Sequence, residues 1–190
     1  MSLSLSNTQL WGSIPTSIST FSRLVELDLS SNYLNGVVSH NHFSNLSSLQ
    51  TLMLSYNHGL TVNLSVVWTP PFQLVSLGLS SGMIGPKFPQ WLVTQLNITN
   101  LDIPNAGIID VMPESFWSSM AYYNNIDVLN ISNNMIHGVL PNLFIAKSLY
   151  SFLSLDLSSN NFSGAVPSSL GDTIILRLNN NKLSKGLSLL

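Results

Sequence analysis

A leucine-x-leucine step returns eight times along this chain at a spacing of about two dozen residues, and no other property restricts its fold as much. The pairs are Leu3/Leu5, Leu27/Leu29, Leu52/Leu54, Leu77/Leu79, Leu101/Ile103, Leu129/Ile131, Leu155/Leu157 and Leu176/Leu178. Apolar residues alternating with an outward one suit a short strand. An asparagine follows in most copies, at Asn32, Asn57, Asn134, Asn160 and Asn181, whereas Thr8, Gly82 and Ala106 occupy that position elsewhere. The fullest copy, LDLSSNNFSGAVPSSL from Leu155 to Leu170, adds a turn and a second apolar step. One such unit has no second surface on which to bury its leucines, so it needs neighbours stacked against it.

This order and period mark a leucine-rich repeat. The expected class is α/β: a leucine-rich-repeat solenoid, wound as a right-handed superhelix. Its concave side is a parallel sheet of short strands, and its convex side consists of loops, short second strands and 3-10 turns. Residues 1–190 read as a single array of about eight coils starting at 3, 27, 52, 77, 101, 129, 155 and 176. The opening MSLSLSNTQL lacks the basic and apolar segments of a signal peptide. The closing NNNKLSKGLSLL stops inside a repeat. The array is therefore expected to lack both caps, as a fragment or truncated product of a longer one.

After each strand the chain turns sharply and leaves backbone N–H and C=O groups inside the coil that require partners. An amide side chain both donates and accepts, so Asn32, Asn57, Asn134, Asn160 and Asn181 are expected to form a ladder tying successive coils. Gly82 and Ala106 cannot take part, which predicts that the fourth and fifth coils are the least regular. The Gly-x-aliphatic-Pro element at Gly12–Pro15, Gly138–Pro141 and Gly164–Pro167 suits a turn into a second extended segment.

Only 7% of residues are charged and the net charge is −2, which sets aside nucleic acid and anionic membrane surfaces as partners. Apolar runs fall far short of the roughly 20 residues of a membrane span, so no membrane contact is expected of this segment. There is no cysteine, hence no disulfide and no Cys-based metal site. Asn-x-Ser/Thr sequons stand at Asn45, Asn63, Asn97, Asn130 and Asn161, candidate glycan acceptors for a secreted chain.

The consensus Leu-x-x-Leu-x-Leu-x-x-Asn-x-Leu-Ser-Gly-x-Ile-Pro resembles the plant-specific, extracellular class of this repeat. The block from Trp68 to Trp117 is more specific, with PPFQL, GPKFPQWL, TQ, LDIPNAGI and a closing FW in that order. It resembles the middle of plant leucine-rich-repeat receptor-like proteins of the fungal-elicitor and disease-resistance type. The resemblance implies a secreted ectodomain on the extracellular side of the plasma membrane, one membrane helix and a short tail without a kinase. Signalling would then pass through partner receptor kinases, in defence or development. This chain departs from that pattern in lacking the signal peptide, paired-cysteine caps, island and membrane helix, and in carrying Gly82 where the family has a larger residue.

Stacked strands would align their outward residues into rows. The first row is Ser4, Asp28, Met53, Gly78, Asp102, Asn130, Asp156 and Arg177, and the second includes Ser30, Ser55, Ser80, Ser132 and Ser158. The candidate binding residues for a protein or peptide ligand are Asp28, Ser30, Met53, Tyr56, Asp102, Asn130, Asp156, Ser158 and Arg177. Met53, Tyr56 and Arg177 interrupt the Asp/Ser pattern, and Tyr and Arg are favoured interface anchors. The same Asp and Ser residues would equally serve to solvate an open sheet. Neither a nucleophile elbow nor a phosphate loop occurs, so no catalytic activity, metal or cofactor is expected. His40, His42, His58 and His137 read as solvated loop residues, and Trp68, Trp91 and Trp117 as packing rather than carbohydrate platforms. A soluble wall inhibitor of microbial wall-degrading enzymes and a nonfunctional relic stand as alternatives to the receptor.

Overall fold

The computed structural model describes residues 1–65, 67–81, 84–123, 126–142, 154–168, 170 and 173–184. Eight three-residue strands form one parallel sheet in chain order: Ser2–Ser4, Glu26–Asp28, Thr51–Met53, Ser76–Gly78, Asn100–Asp102, Val128–Asn130, Ser154–Asp156 and Ile175–Arg177. The register follows the repeat, since Leu3, Leu27, Leu52, Leu77, Leu101, Leu129, Leu155 and Leu176 pair in succession. From Leu27 to Leu155 these leucines are buried and form the spine of a continuous core.

Two smaller parallel sheets flank the main one. The first joins Trp11–Ser13, Tyr33–Val38 and Gly59–Val62; the second joins His137–Val139, Asn161–Gly164 and Lys182–Leu183. Among the described residues the fourth and fifth coils add only the single bridge Val111–His137 to this side. The lateral sheets therefore stop where the asparagine ladder is interrupted.

The ladder works by double attachment. Asn134 Nδ2 donates to the carbonyls of Ile103 (3.1 Å) and Ile131 (3.0 Å), while its Oδ1 accepts from Ala106 N (3.0 Å) and Ile108 N (3.1 Å) of the preceding coil. Asn32 likewise bonds Leu5 O and Leu29 O and accepts from Thr8 N and Leu10 N. Asn57, Asn160 and Asn181 repeat the pattern, accepting from Leu34 N, Ile136 N and Phe162 N respectively. Asn57, Asn134 and Asn160 satisfy buried backbone groups in this way, whereas the partners of Asn32 and Asn181, nearer the two ends, are mostly part-buried.

Between the fourth and fifth coils other devices substitute. Ile84 N and Gly85 N both donate to Ala106 O, at 3.0 and 3.1 Å, and Ile109 N donates to Pro86 O at 2.7 Å. Asp110 accepts from Phe88 N at 3.1 Å and from Val111 N at 2.9 Å, with Lys87 Nζ at 3.6 Å. Burial pushes the Asp110 carboxyl up, but those N–H groups and the Lys87 ammonium together hold it below its ordinary value. One step earlier, two glutamines clasp the third and fourth coils. Buried Gln95 accepts from Leu74 N (2.8 Å), and Gln73 donates to Thr94 O (3.0 Å) and accepts from Leu96 N (2.9 Å). The PPFQL and TQ motifs thus meet as one reciprocal pair.

The convex side departs from the sequence expectation at one place. Short 3-10 turns occur as expected at Thr16–Thr20, His40–His42 and Gln90–Thr94, but Glu114–Tyr123 is an α-helix. Its long return stretch contains no Gly or Pro after Pro113, and Glu114 favours the positive helix start. Phe116 and Trp117 are buried, with the Phe116 ring 5.2 Å from that of Phe88. Trp91 is buried too and lies 5.8 Å from Trp68, which also meets Phe43 and Phe72. His42 is a correction. It is buried rather than solvated, with Ser39 N donating to Nδ1 at 3.0 Å, which leaves the Nε2 proton to reach Ile14 O at 3.0 Å. A polar ring in a turn facing the previous coil finds backbone partners there instead of water.

Candidate binding face

The outward row of the main sheet is continuous in space: Ser4, Asp28, Met53, Gly78, Asp102, Asn130, Asp156 and Arg177 are successive partners across the strands. What these side chains do is set two residues later. Ser30 donates from N (3.0 Å) and Oγ (2.6 Å) to Asp28 Oδ1, and Ser158 does the same to Asp156 at 3.0 and 2.6 Å. Ser30 and Ser158 thus brace the carboxylates from beside them, Ser158 buried and Ser30 half-buried. Ser55, Ser80 and Ser132 are buried as well.

Asp102 cannot be braced in this way because Pro104 stands two residues on and has no N–H. Its carboxylate reaches sideways, accepting from Ser80 Oγ at 2.9 Å in one neighbouring coil and from Asn130 Nδ2 at 2.8 Å in the other. Asn130 in turn accepts from Ser132 N at 3.1 Å. At the end of the row, the exposed Arg177 guanidinium lies 3.9 Å from Asp156.

A second regularity lies in the backbone. The fourth residue after each leading leucine has a left-handed backbone: Asn7, Ser31, Tyr56, Ser81, Asn105, Asn133, Ser159 and Asn180 all have φ between 52° and 61°. Seven are Asn or Ser, whose short polar side chains tolerate this region; the eighth is an aromatic, which does not. Tyr56 is 55% exposed at the rim of the sheet.

The sequons separate by position. Asn45, Asn63 and Asn97 are exposed in loops, whereas Asn130 is half-buried within the main sheet with its amide held by Asp102, and Asn161 lies in a lateral strand. Glycopeptide mass spectrometry after expression in plant cells is expected to find Asn45, Asn63 and Asn97 occupied and Asn130 bare. A glycan at Asn130 would show that the Asp102 contact does not form.

Comparison with known proteins adds the following. Leucine-rich-repeat family models match residues 1–59, 125–146 and 151–173. Among curated proteins, the chain is 43% identical over 153 residues to the tomato receptor-like protein EIX2, covering 80% of the chain and 14% of that protein. It is 45% identical over 134 residues to tomato EIX1, covering 70% of the chain and 12% of that protein. The chain thus spans about one seventh of these relatives. Among solved structures, the HAESA receptor kinase ectodomain of Arabidopsis bound to an N-terminally extended IDA peptide hormone is 25% identical with a TM-score of 0.75, covering 96% of the chain and 30% of that structure. The PEPR1–AtPEP1 complex is 27% identical with a TM-score of 0.69, covering 97% and 29%.

Proposed function

Because the chain belongs to the leucine-rich-repeat family, in the form carried by plant receptor-like proteins, we propose that it is a ligand-recognising stretch of a cell-surface receptor. Its concave face takes a peptide or protein on the extracellular side of the plasma membrane, and partner receptor kinases carry the signal onward in defence. The HAESA ectodomain above is a receptor kinase named in complex with a peptide hormone ligand, which supports this class of partner.

The observation that carries the reading is Tyr56. The repeat imposes a left-handed backbone at this position in every coil, and only here is it carried by an aromatic, which bears that conformation at a higher cost, of order 1–3 kcal/mol, than the Asn or Ser found elsewhere. An exposed tyrosine on an open sheet is a suitable anchor, offering area and a hydroxyl at little entropic cost. The test starts from a displayed peptide library selected on the full chain. Selected peptides should bind Tyr56→Ala and Arg177→Ala at least tenfold more weakly, the loss of about 1.4 kcal/mol or more. Tyr56→Asn should lose binding equally while raising the melting temperature, because asparagine suits the backbone better. If selection enriches nothing, or the enriched peptides bind the variants unchanged, the concave-face assignment fails.

A further inference from the structure

Within the outward row, Asp28, Met53, Gly78 and Asp102 are consecutive partners on four adjacent strands. At roughly 4.8 Å per strand, the two carboxylates stand about 14 Å apart. The floor between them is formed mainly by the Met53 thioether, with the buried Ser55 hydroxyl beside it. Gly78 is buried, and a Cβ placed on it would lie 2.6 Å from Met53 Sδ, so the thioether rests on bare backbone that no other residue would leave open. Tyr56 stands at the rim, three residues after Met53.

Among the described residues, neither flanking carboxylate meets a cation. Asp28 is held by Ser30, and Asp102 by Ser80 and Asn130, all neutral donors. Ion pairs among the described residues are Lys87–Asp110 and Arg177–Asp156, both elsewhere. Neutral donors fix the geometry of a carboxylate and leave its charge in place. The saddle therefore combines two uncompensated negative charges, an apolar strip and an aromatic rim.

We propose that this saddle is a subsite for an arginine side chain of the peptide or protein ligand, a proposal that rests on the receptor reading above and narrows it. The aliphatic stem lies along the Met53 side chain that covers Gly78, and the guanidinium meets Asp28 on the adjoining strand, with Asp102 adding longer-range attraction from the far side. Arginine fits better than lysine because its planar, weakly hydrated head stacks on polarizable and aromatic surface and engages carboxylates in fixed geometry. An acidic ligand segment is repelled from the same place.

The experiment uses the full chain labelled at methionine methyl groups and titrated with N-acetyl-arginine methylamide, with the neutral citrulline analogue as control. The Met53 methyl signal should shift saturably with arginine and respond at least fivefold more weakly to citrulline. Asp28→Asn combined with Asp102→Asn should weaken the arginine response at least fivefold. The signal of Met112, buried away from this face, reports that the fold is intact. Should Met112 move in the double variant, Asp28→Asn alone, which leaves the cross-coil bonds of Asp102, decides by the same criterion. Equal responses to arginine and citrulline, a still Met53, or an unchanged response in the variant would overturn the subsite. A selected peptide that depends on Tyr56 while arginine leaves Met53 unmoved removes the subsite alone and keeps the receptor reading.

Discussion

Asn134→Ala is expected to lower the stability of the array by about 3 kcal/mol or more, the largest effect of any single polar substitution in the chain. Among the described residues, Asn134 Oδ1 is the acceptor for both Ala106 N and Ile108 N, and its Nδ2 also serves the carbonyls of Ile103 and Ile131. All of these groups are buried, and each buried group left without a partner costs about 1–3 kcal/mol. Aspartate cannot rescue the site, since it keeps the acceptor, loses the donors and buries a charge. Asn181→Ala should cost less, because its partners are only part-buried. Urea unfolding, together with amide exchange at Ile103 to Ile108, measures the effect. Wild-type protection there in Asn134→Ala would show that the ladder does not hold the coils together.

Gly85→Ala is the second large effect and acts by a different route. A Cβ on Gly85 would fall inside the van der Waals shell of the Gly107 carbonyl and close to Ile108 N, both main chain and unable to rotate away. The fourth and fifth coils would have to separate, breaking the paired bonds to Ala106 O. Overpacking of this kind costs about 1–3 kcal/mol, with the upper end expected here because backbone must move. Gly107→Ala is the informative companion. It has no atom within 4 Å of the added methyl but a φ of +73°, so only the conformational cost of about 1–2 kcal/mol applies. Thermal melts of the two variants should rank Gly85→Ala well below Gly107→Ala; the reverse order would mean that the seam is loose.

Much of this was legible in the residues. The leading leucines predicted the strands and their register, because a two-residue alternation between core and surface leaves no freedom to slip. The block of motifs that resembles receptor-like proteins contains the glutamine clasp, Gln73 lying in PPFQL and Gln95 in TQ, although the motifs alone do not show that the two meet. Less was legible wherever the outcome depended on a neighbour one coil away. Ser158 looks solvent-facing in sequence but is enclosed by the strands beside it, and His42 looks like a loop residue until Ile14 O is seen opposite. Asp102 differs from Asp28 only because of Pro104, a signal that was present and could have been read. The row of left-handed residues could also have been found, since Asn or Ser stands there in every coil but the one that carries Tyr56.

The interruption of the lateral sheets has a mechanical consequence. The first three coils and the last three are each braced along two edges, by the main sheet and by a flanking one, and such girders resist flexure. Among the described residues the middle pair has no flanking strand, and beyond the main sheet these two coils are joined to each other by the backbone bonds beside Gly85, by Asp110 and by the Phe88–Phe116 contact. Bending compliance is therefore concentrated halfway along the array, where the two stiff arms can open or close their angle without either losing a single bond of its own.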